Sequence, residues 1–250
     1  MAIAHPWKDA PAPATTIEVA PGVRWLRMPL PFQLDHINQW LLDDGDGWAI
    51  VDTGVGLPDV RALWERIFAG ELDGRPVTRV LLTHFHPDHI GNAGWLTERW
   101  GVDFWCTQAE FLIAHVAVQA TGPRHADARL RHFRRNGCDE AALASLARRG
   151  NHYPGLVPSL PGEFRCLREG DGVVIGAHEW EVIVGRGHAP EHAALWCERA
   201  GVLISGDQVL PKITTNISVW PDQPLGNPLA LYLESLERFR AIGAPVLVLP

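Results

Sequence analysis

Three histidines and an aspartate stand close together directly after an apolar run. The run is Val80-Leu81-Leu82, and the segment that follows it is Thr83-His84-Phe85-His86-Pro87-Asp88-His89. If residues 78–83 form a buried strand, these side chains lie at its carboxyl end, on a loop that a rigid sheet can hold in place. Histidine nitrogen and carboxylate oxygen are both common zinc ligands. The segment therefore predicts a metal site at one end of a sheet.

The spacing within this segment separates two sets of ligands. His84 and His86 are two residues apart, and Pro87 biases the residue before it toward extended backbone, so both rings can reach one ion. Asp88 and His89 follow the turn at the proline and point to a neighbouring position, which makes a second ion plausible. Loop histidines can also serve only as caps or solvated side chains. Four such groups together, however, have no common structural use.

The pattern His-x-His-x-Asp-His after a strand resembles the metallo-β-lactamase fold family of metallohydrolases, in particular its glyoxalase II-like and lactamase-like-protein branch. Three further segments resemble motifs of that family, in the family's order along the chain. Residues 48–54 resemble the early strand that ends in Asp-Thr-Gly, and residues 187–192 resemble the third-histidine motif. Residues 205–207 resemble the strand end that carries a bridging aspartate. Four motifs in order are far more specific than any one of them.

The resemblance implies a set of metal ligands and a mechanism. The implied ligands are His84, His86 and His188 for the first ion, Asp88 and His89 for the second, and Asp207 between the two. The implied cofactor is two Zn²⁺, although the same ligand types also serve iron and manganese. A hydroxide that bridges the two ions would be the nucleophile, because divalent ions lower the pKa of bound water. Asp88 would act catalytically by orienting that hydroxide and relaying a proton.

The resemblance also implies roles for residues around the ligands. Asp52 would support residues 83–89, which we call the metal loop, on the side away from the metal. His192 would lie behind the ligands rather than bind metal, and Glu191 before it departs from the glycine often found there. The loop after Asp207 would line the cleft, and its candidate contacts for substrate are Thr214, Thr215 and Asn216. Ordinary turn chemistry explains these three residues at least as well.

The remaining pattern predicts a mixed α/β fold, in which short β-rich runs alternate with helical periodicity. We expect strands at 23–28, 38–43, 48–52, 78–83, 102–106, 173–175, 181–184, 194–196, 202–204 and near 246, and helices at 58–69, 91–100 and 228–242. The resemblance implies a four-layer αβ/βα sandwich, with two sheets face to face and helices outside. Residues 1–250 would form one such domain, truncated at its carboxyl end, because the chain stops where the family's last metal-2 histidine should follow.

Residues 108–160 fall outside this pattern, since they lack convincing strands and suggest three helices. The resemblance implies a helical insertion, or lid, over the active-site cleft. Residues 121–150 carry seven arginines against three acids, and guanidinium groups bind carboxylates and phosphates bidentately. A solvated helical face explains the arginines equally well. Weaker functional candidates in this segment are His125, His132, His152 and Tyr153.

Composition and charge narrow the classes of function. The chain has 250 residues, 46% of them hydrophobic, which is enough to bury one large core. A net charge of -7 argues mildly against a dedicated nucleic-acid binder, and the lack of any run of about 18 apolar residues predicts no membrane span. The four cysteines form no C-x-x-C pair and no evident disulfide framework, which indicates the reducing cytoplasm.

Taken together, these features predict a metal-dependent hydrolase of a small anionic ester, thioester or lactone. Three alternatives stay open: a phosphodiesterase or ribonuclease of the same superfamily, an iron-dependent dioxygenase-type enzyme on the same fold, and a non-catalytic descendant. A nuclease would be supported by a basic surface, which is not evident, and an iron enzyme would be recognised by metal analysis. No feature of the sequence indicates an oligomeric state.

Overall fold

Two β-sheets form the centre of the structure, a computed structural model that describes residues 3–243 and 246–250. In this described part the first sheet has seven strands, which lie side by side in chain order. They are β1 (Ile17–Ala20), β2 (Val23–Pro29), β3 (His36–Asp43), β4 (Trp48–Val51), β5 (Val77–Leu81), β6 (Asp103–Thr107) and β7 (Arg165–Leu167). The second sheet contains β8 (Gly172–Ile175), β9 (His178–Gly185), β10 (His192–Cys197), β11 (Val202–Ile204) and β12 (Leu247–Leu249).

Helices join the strands and cover both sheets. They are α1 (Pro58–Gly70), α2 (Pro87–Ile90), α3 (Ala93–Trp100), α4 (Gln108–Gln119), α5 (Pro123–Arg135), α6 (Glu140–Arg149), α7 (Tyr153–Leu156) and α8 (Pro228–Ala241). Pro58 and Pro228 begin α1 and α8, where the missing amide hydrogen of proline leaves no helical bond unmade. Within residues 3–243 and 246–250, none of these helices has the length and apolar character that a membrane crossing needs.

The pairing of the strands brings two carboxyl ends to the same edge of the first sheet. Strands β1 to β4 are antiparallel, whereas β4, β5, β6 and β7 are parallel to one another. Val51 is paired with Leu81, so β4 and β5 end at the same level. The loops that follow these two strands therefore leave the sheet side by side.

Alternating side chains divide the interior into layers. In β4, Trp48 and Ile50 pack under α1 and α3, whereas Ala49 and Val51 face the second sheet. In β9, Val182 faces the first sheet, and its neighbour Ile183 packs under α8. Because successive residues of a strand point to opposite faces, both sheets are buried on both sides. The predicted four-layer αβ/βα sandwich is confirmed.

The insertion contains the three expected helices, α4, α5 and α6, and a further short helix, α7. Helix α4 lies on β6 and contacts α7, α7 contacts α2, and α5 packs on α6. None of the residues of α5 is buried. The guanidinium group of Arg129 donates to the carbonyl oxygen of Gly150, and that of Arg134 binds the carboxylate of Glu140. The insertion thus reaches the metal loop through α7, and part of its arginine charge is taken up by contacts within it.

Candidate metal centre

Strand ends from both sheets carry the side chains that the sequence singles out. Asp52 follows β4, and the metal loop, residues 83–89, follows β5. Residues 186–191, which we call the third-histidine loop, connect β9 to β10, and Asp207 lies in a 3-10 turn, Gly206–Gln208, directly after β11. The backbone amide of Ala193 donates to the carbonyl oxygen of Thr83 and so joins the two sheets at this edge.

Three imidazole nitrogens converge at this edge. Nε2 of His84 lies 3.0 Å from Nδ1 of His86 and 3.1 Å from Nε2 of His188. With one oxygen of Asp207, these ligand atoms all lie within 4.8 Å of one another. Two nitrogens that share a tetrahedral zinc ion at about 2.0–2.1 Å stand roughly 3.3 Å apart. The observed separations fit a shared cation of that size.

Hydrogen bonds on the far sides of two rings fix which nitrogen carries the proton. Nδ1 of His188 lies 2.8 Å from the carbonyl oxygen of Asn216, which can only accept, so this nitrogen is protonated. The hydroxyl of Thr83 donates to Asp52, at 2.7 Å, and therefore accepts from Nδ1 of His84, at 3.0 Å. Each ring is left with a free lone pair on Nε2, directed into the cluster. That is the form in which a histidine binds metal.

A second group of potential ligands lies beside the first. Nε2 of His89 is 3.6 Å from Oδ1 of Asp207 and 3.8 Å from Oδ2 of Asp88. This nitrogen is buried and has no hydrogen-bond partner among the described residues, although buried polar atoms are normally paired. The other carboxylate oxygen of Asp207, Oδ2, is 3.4 Å from Nε2 of His188. Asp207 therefore turns one oxygen toward each group.

The two groups differ in their electrostatic surroundings. Burial lowers the pKa of His84 and of His86 well below the usual value, and the neighbouring imidazoles lower it further. Burial also lowers the pKa of His188. Burial acts in the same direction on His89, but the surrounding carboxylates outweigh it and hold the pKa of that ring well above the usual value. The first three rings thus offer neutral nitrogen donors. The surroundings of His89 favour a positive charge.

Asp52 and His192 contact the candidate ligands on the side away from the cluster. The two oxygens of Asp52 accept hydrogen bonds from the Thr83 amide, at 2.8 Å, and from Nδ1 of His89, at 2.8 Å. Asp52 also adopts φ +64°, an uncommon conformation for a residue with a side chain. The ring of His192 is stacked on that of His84, with 4.9 Å between centroids, and burial lowers its pKa to about 3. His192 is therefore a neutral ring packed against a candidate metal ligand, His84.

Gly206 is needed for the close approach of Asp207 to these rings. Its φ is +46°, and a Cβ atom at this position would stand 2.6 Å from Nε2 of His192. Any larger residue would push the 3-10 turn away from the histidines. The placement of the Asp207 carboxylate thus depends on the glycine before it.

The three candidate substrate contacts lie in two different places. The hydroxyl of Thr215 is 2.9 Å from Nδ1 of His188, and the carbonyl of Asn216 binds the same nitrogen. Thr215 is buried, whereas Thr214 is exposed. Two of the three residues therefore contact the far side of a metal-ligand candidate. Substrate binding by Thr214, Thr215 and Asn216 stays a prediction.

Two residues at the site lie outside the four motifs. Glu110, in α4, is fully buried, and burial raises its pKa to about 7. Its carboxylate accepts from the backbone amides of Phe85, at 2.8 Å, and Glu191, at 2.7 Å. The hydroxyl of Tyr153 donates to the carbonyl of Phe85 at 2.6 Å. In the sequence, Glu110 could have been noticed as the one acidic residue among the mostly apolar residues of α4.

Comparison with known families agrees with this architecture. The model of the metallo-β-lactamase superfamily matches residues 33–250. The chain belongs to this superfamily. Membership supports the class of metal-dependent hydrolases and confirms the resemblance that the four motifs indicated.

Several members of the superfamily are similar over most of this chain. A β-lactamase domain protein from Burkholderia ambifaria is 51% identical, with a TM-score of 0.86, over 97% of this chain and 72% of that one. The metallo-β-lactamase family protein TTHA1429 from Thermus thermophilus is 31% identical, with a TM-score of 0.74, over 91% of this chain and 72% of that one. The probable metallo-hydrolase YqjP of Bacillus subtilis (strain 168) is 25% identical over 90% of this chain and 69% of its own length.

Proposed function

We propose that this superfamily member is a hydrolase that uses two Zn²⁺ ions to cleave a small anionic ester, thioester or lactone. The observation that carries the proposal is the convergence of three imidazole nitrogens. In two of the rings, hydrogen bonds to Nδ1 leave a free lone pair on the Nε2 atom that points into the cluster. Such an arrangement is costly to build unless a cation binds there, because buried nitrogens without a proton or a partner lose their hydration.

The residues present fit two divalent ions. The first would be held by His84, His86 and His188, the second by Asp88 and His89, and Asp207 would serve both. The buried, unpartnered Nε2 of His89 supports the second position. When bound, two such ions would supply water of lowered pKa and polarise the carbonyl oxygen under attack. Iron or manganese would fit the same ligand types.

Asp88 is the residue that we propose for proton transfer. It stands at the first turn of α2, beside His89. Asp88, His89 and Asp207 make up the second group of potential ligands, which we call the acid-rich group. Its carboxylate orients the attacking water and takes up the proton that the water loses. Asp52 and Thr83 keep the rings of His84 and His89 in the orientation that leaves Nε2 free.

The charge balance of the site supports an anionic substrate. The four histidine ligands bring no charge in their metal-binding form, whereas Asp88 and Asp207 bring one negative charge each. The hydroxide would bring a third negative charge, so two divalent ions would leave this set of ligands with one net positive charge, which attracts an anionic substrate. The arginines of the insertion would add to this attraction, although Arg129 and Arg134 already have partners.

The proposal is tested by elemental analysis of the purified protein together with a panel of thioester, lactone and phosphodiester substrates. We expect two equivalents of zinc per chain and turnover of a thioester or lactone. His86→Ala should lose metal and turnover while its circular dichroism stays unchanged, and the exposed His5→Ala is the matched control. Undiminished hydrolysis by His86→Ala would remove this site from the mechanism. Phosphodiester turnover or bound iron would instead support one of the alternative functions.

A further inference from the structure

The residue between His84 and His86 has both of its backbone polar groups bound by side chains of the insertion. Phe85 lies between His84 and His86, its amide donates to Oε2 of Glu110, at 2.8 Å, and its carbonyl accepts from the hydroxyl of Tyr153, at 2.6 Å. These two side chains come from α4 and α7. Both polar groups of this residue's backbone are therefore bound by the insertion, and the backbone that carries two ligand candidates has little freedom to move.

The third-histidine loop is held in the same way. The amide of Glu191, three residues after His188, donates to Oε1 of Glu110 at 2.7 Å. The carbonyl of Glu191 accepts from the hydroxyl of Thr107 at 2.9 Å, at the start of α4. One carboxylate thus connects the two loops that carry the histidines of the first metal position.

Packing alone does not account for an acid at position 110. Glu110 is fully buried and no cation pairs with its carboxylate among the described residues. A buried carboxylate is tolerated only when it is well hydrogen-bonded, and an apolar side chain of the same size usually serves a core position at least as well. The two charge-assisted bonds to the Phe85 and Glu191 amides are what this carboxylate provides.

We propose that Glu110 and Tyr153 are positioning residues that set the distance between the His84–His86 pair and His188. The insertion then acts as a clamp: through Glu110 and Tyr153 it fixes the two loops that carry the histidines of the first metal position. This inference rests on the proposed function, because it takes the three histidines to be metal ligands. Neither Glu110 nor Tyr153 touches the reacting atoms.

Glu110→Gln is the variant that tests the clamp. Glutamine has nearly the same size, but it offers one acceptor oxygen, and its NH₂ group would oppose the second backbone amide. One of the two loops is therefore released. We expect a loss of zinc affinity of about 10- to 100-fold, as for other residues that orient metal ligands, and a lower kcat with little change in KM. The matched control is Glu98→Gln, which makes the same change on an exposed position of α3.

The experiment has one arm that needs no metal. In metal-free protein, hydrogen exchange is followed in peptides that cover 83–87 and 189–193, and zinc affinity is measured separately by competition with a chelator. We expect Glu110→Gln to exchange faster in at least one of the two peptides, and Glu98→Gln to match the wild-type protein. Tyr153→Phe, a milder change that serves if Glu110→Gln does not fold, should exchange faster in 83–87 only. It should also weaken zinc binding, by a smaller factor than Glu110→Gln.

The outcomes separate the clamp from the proposed function. Unchanged exchange in both peptides, or unchanged zinc affinity, in folded Glu110→Gln would overturn the clamp. If Glu110→Gln does not fold, the same results in Tyr153→Phe would overturn it. A wild-type protein whose zinc binding does not depend on His86 would overturn the proposed function, and with it the role of the clamp toward metal. A purely structural role for Glu110 would lower the free energy of unfolding and leave the zinc affinity of the folded protein intact.

Discussion

The two groups of candidate metal ligands at the sheet edge differ in how they would hold a cation. In the first, the nitrogens of His86 and His188 lie 3.0 and 3.1 Å from Nε2 of His84. All three rings are neutral, those of His84 and His188 are buried and that of His86 is half-buried, and hydrogen bonds behind two of the rings fix their tautomers. In the second, His89 stands 3.6–3.8 Å from two carboxylates. The first group therefore has its geometry ready before a cation binds, whereas the second relies on negative charge.

This difference has a consequence for the order in which ions bind. A preorganised set of neutral nitrogens holds a borderline-soft ion such as zinc tightly. In a group rich in carboxylates that stand farther apart, cation binding depends more on the negative charge and less on a matching arrangement of ligand atoms. We therefore expect the ion of the first group to be the last one that a chelator removes.

The largest effects are expected from removing one ligand of each group. His188→Ala takes away a nitrogen of the first group and leaves Oδ2 of Asp207 without its neighbour at 3.4 Å, so we expect loss of the tighter ion and of detectable turnover. His89→Ala should retain that ion, bind one equivalent of metal per chain and also lose turnover. Metal content and hydrolysis, measured on both variants after the same dialysis, check the comparison.

The opposite result would contradict the assignment of the groups. If His89→Ala lost both ions while His188→Ala kept one, the acid-rich group would be the tighter site. Equal retention of two ions in both variants would show that neither ring is needed to hold metal. Circular dichroism of each variant serves to exclude loss of the fold as the cause.

A smaller effect, on both groups at once, is expected from Asp52→Asn. The carboxylate of Asp52 accepts hydrogen bonds from the Thr83 amide, the Thr83 hydroxyl and Nδ1 of His89. Asparagine keeps the size but replaces one acceptor oxygen by a donor, so at least one of these bonds is lost. We expect zinc affinity and turnover to fall by about 10- to 100-fold. Asp46→Asn, on an exposed turn, is the control, and weakening of only one of the two metal equivalents would contradict the shared role.

Sequence patterns were sufficient for the layers of the fold and for the convergence of the strand ends. The uninterrupted apolar runs in β4 and before the metal loop indicate strands that are buried on both faces and mark where they end. Two strands escaped prediction, β1 with four residues and β7 with three. Equally short strands, β8 and β11, were predicted because their runs are almost wholly apolar. By contrast, β1 and β7 each mix a charged residue with apolar ones, so their pairing partners define them.

The supports of the site were only partly predictable. Asp52 lies in a motif and precedes a turn, so its position was evident from the chain itself. Glu110 bonds to peptide groups 25 and 81 residues away, and such contacts exist only once α4 has packed on β6. The hydroxyl of Thr215 and the backbone carbonyl of Asn216 contact the far nitrogen of His188, and nothing in the loop sequence indicated this contact. The substrate contacts predicted for both residues stay predictions. The direction in which a loop side chain points depends on tertiary packing, which one sequence does not contain.

The smallest effect is expected from Thr215→Val, which alters the first group alone. Valine matches the shape of threonine but removes the hydroxyl that lies 2.9 Å from Nδ1 of His188, while the carbonyl of Asn216 still accepts from that nitrogen. Loss of one hydrogen bond of about 1 kcal/mol corresponds to roughly a fivefold weaker binding of the tighter ion. Zinc titration against two chelators of different strength measures both equivalents, so the second ion is an internal control. A change confined to that second ion would mean that the Thr215 hydroxyl acts on the acid-rich group, and that the two groups are less separate than their geometry indicates.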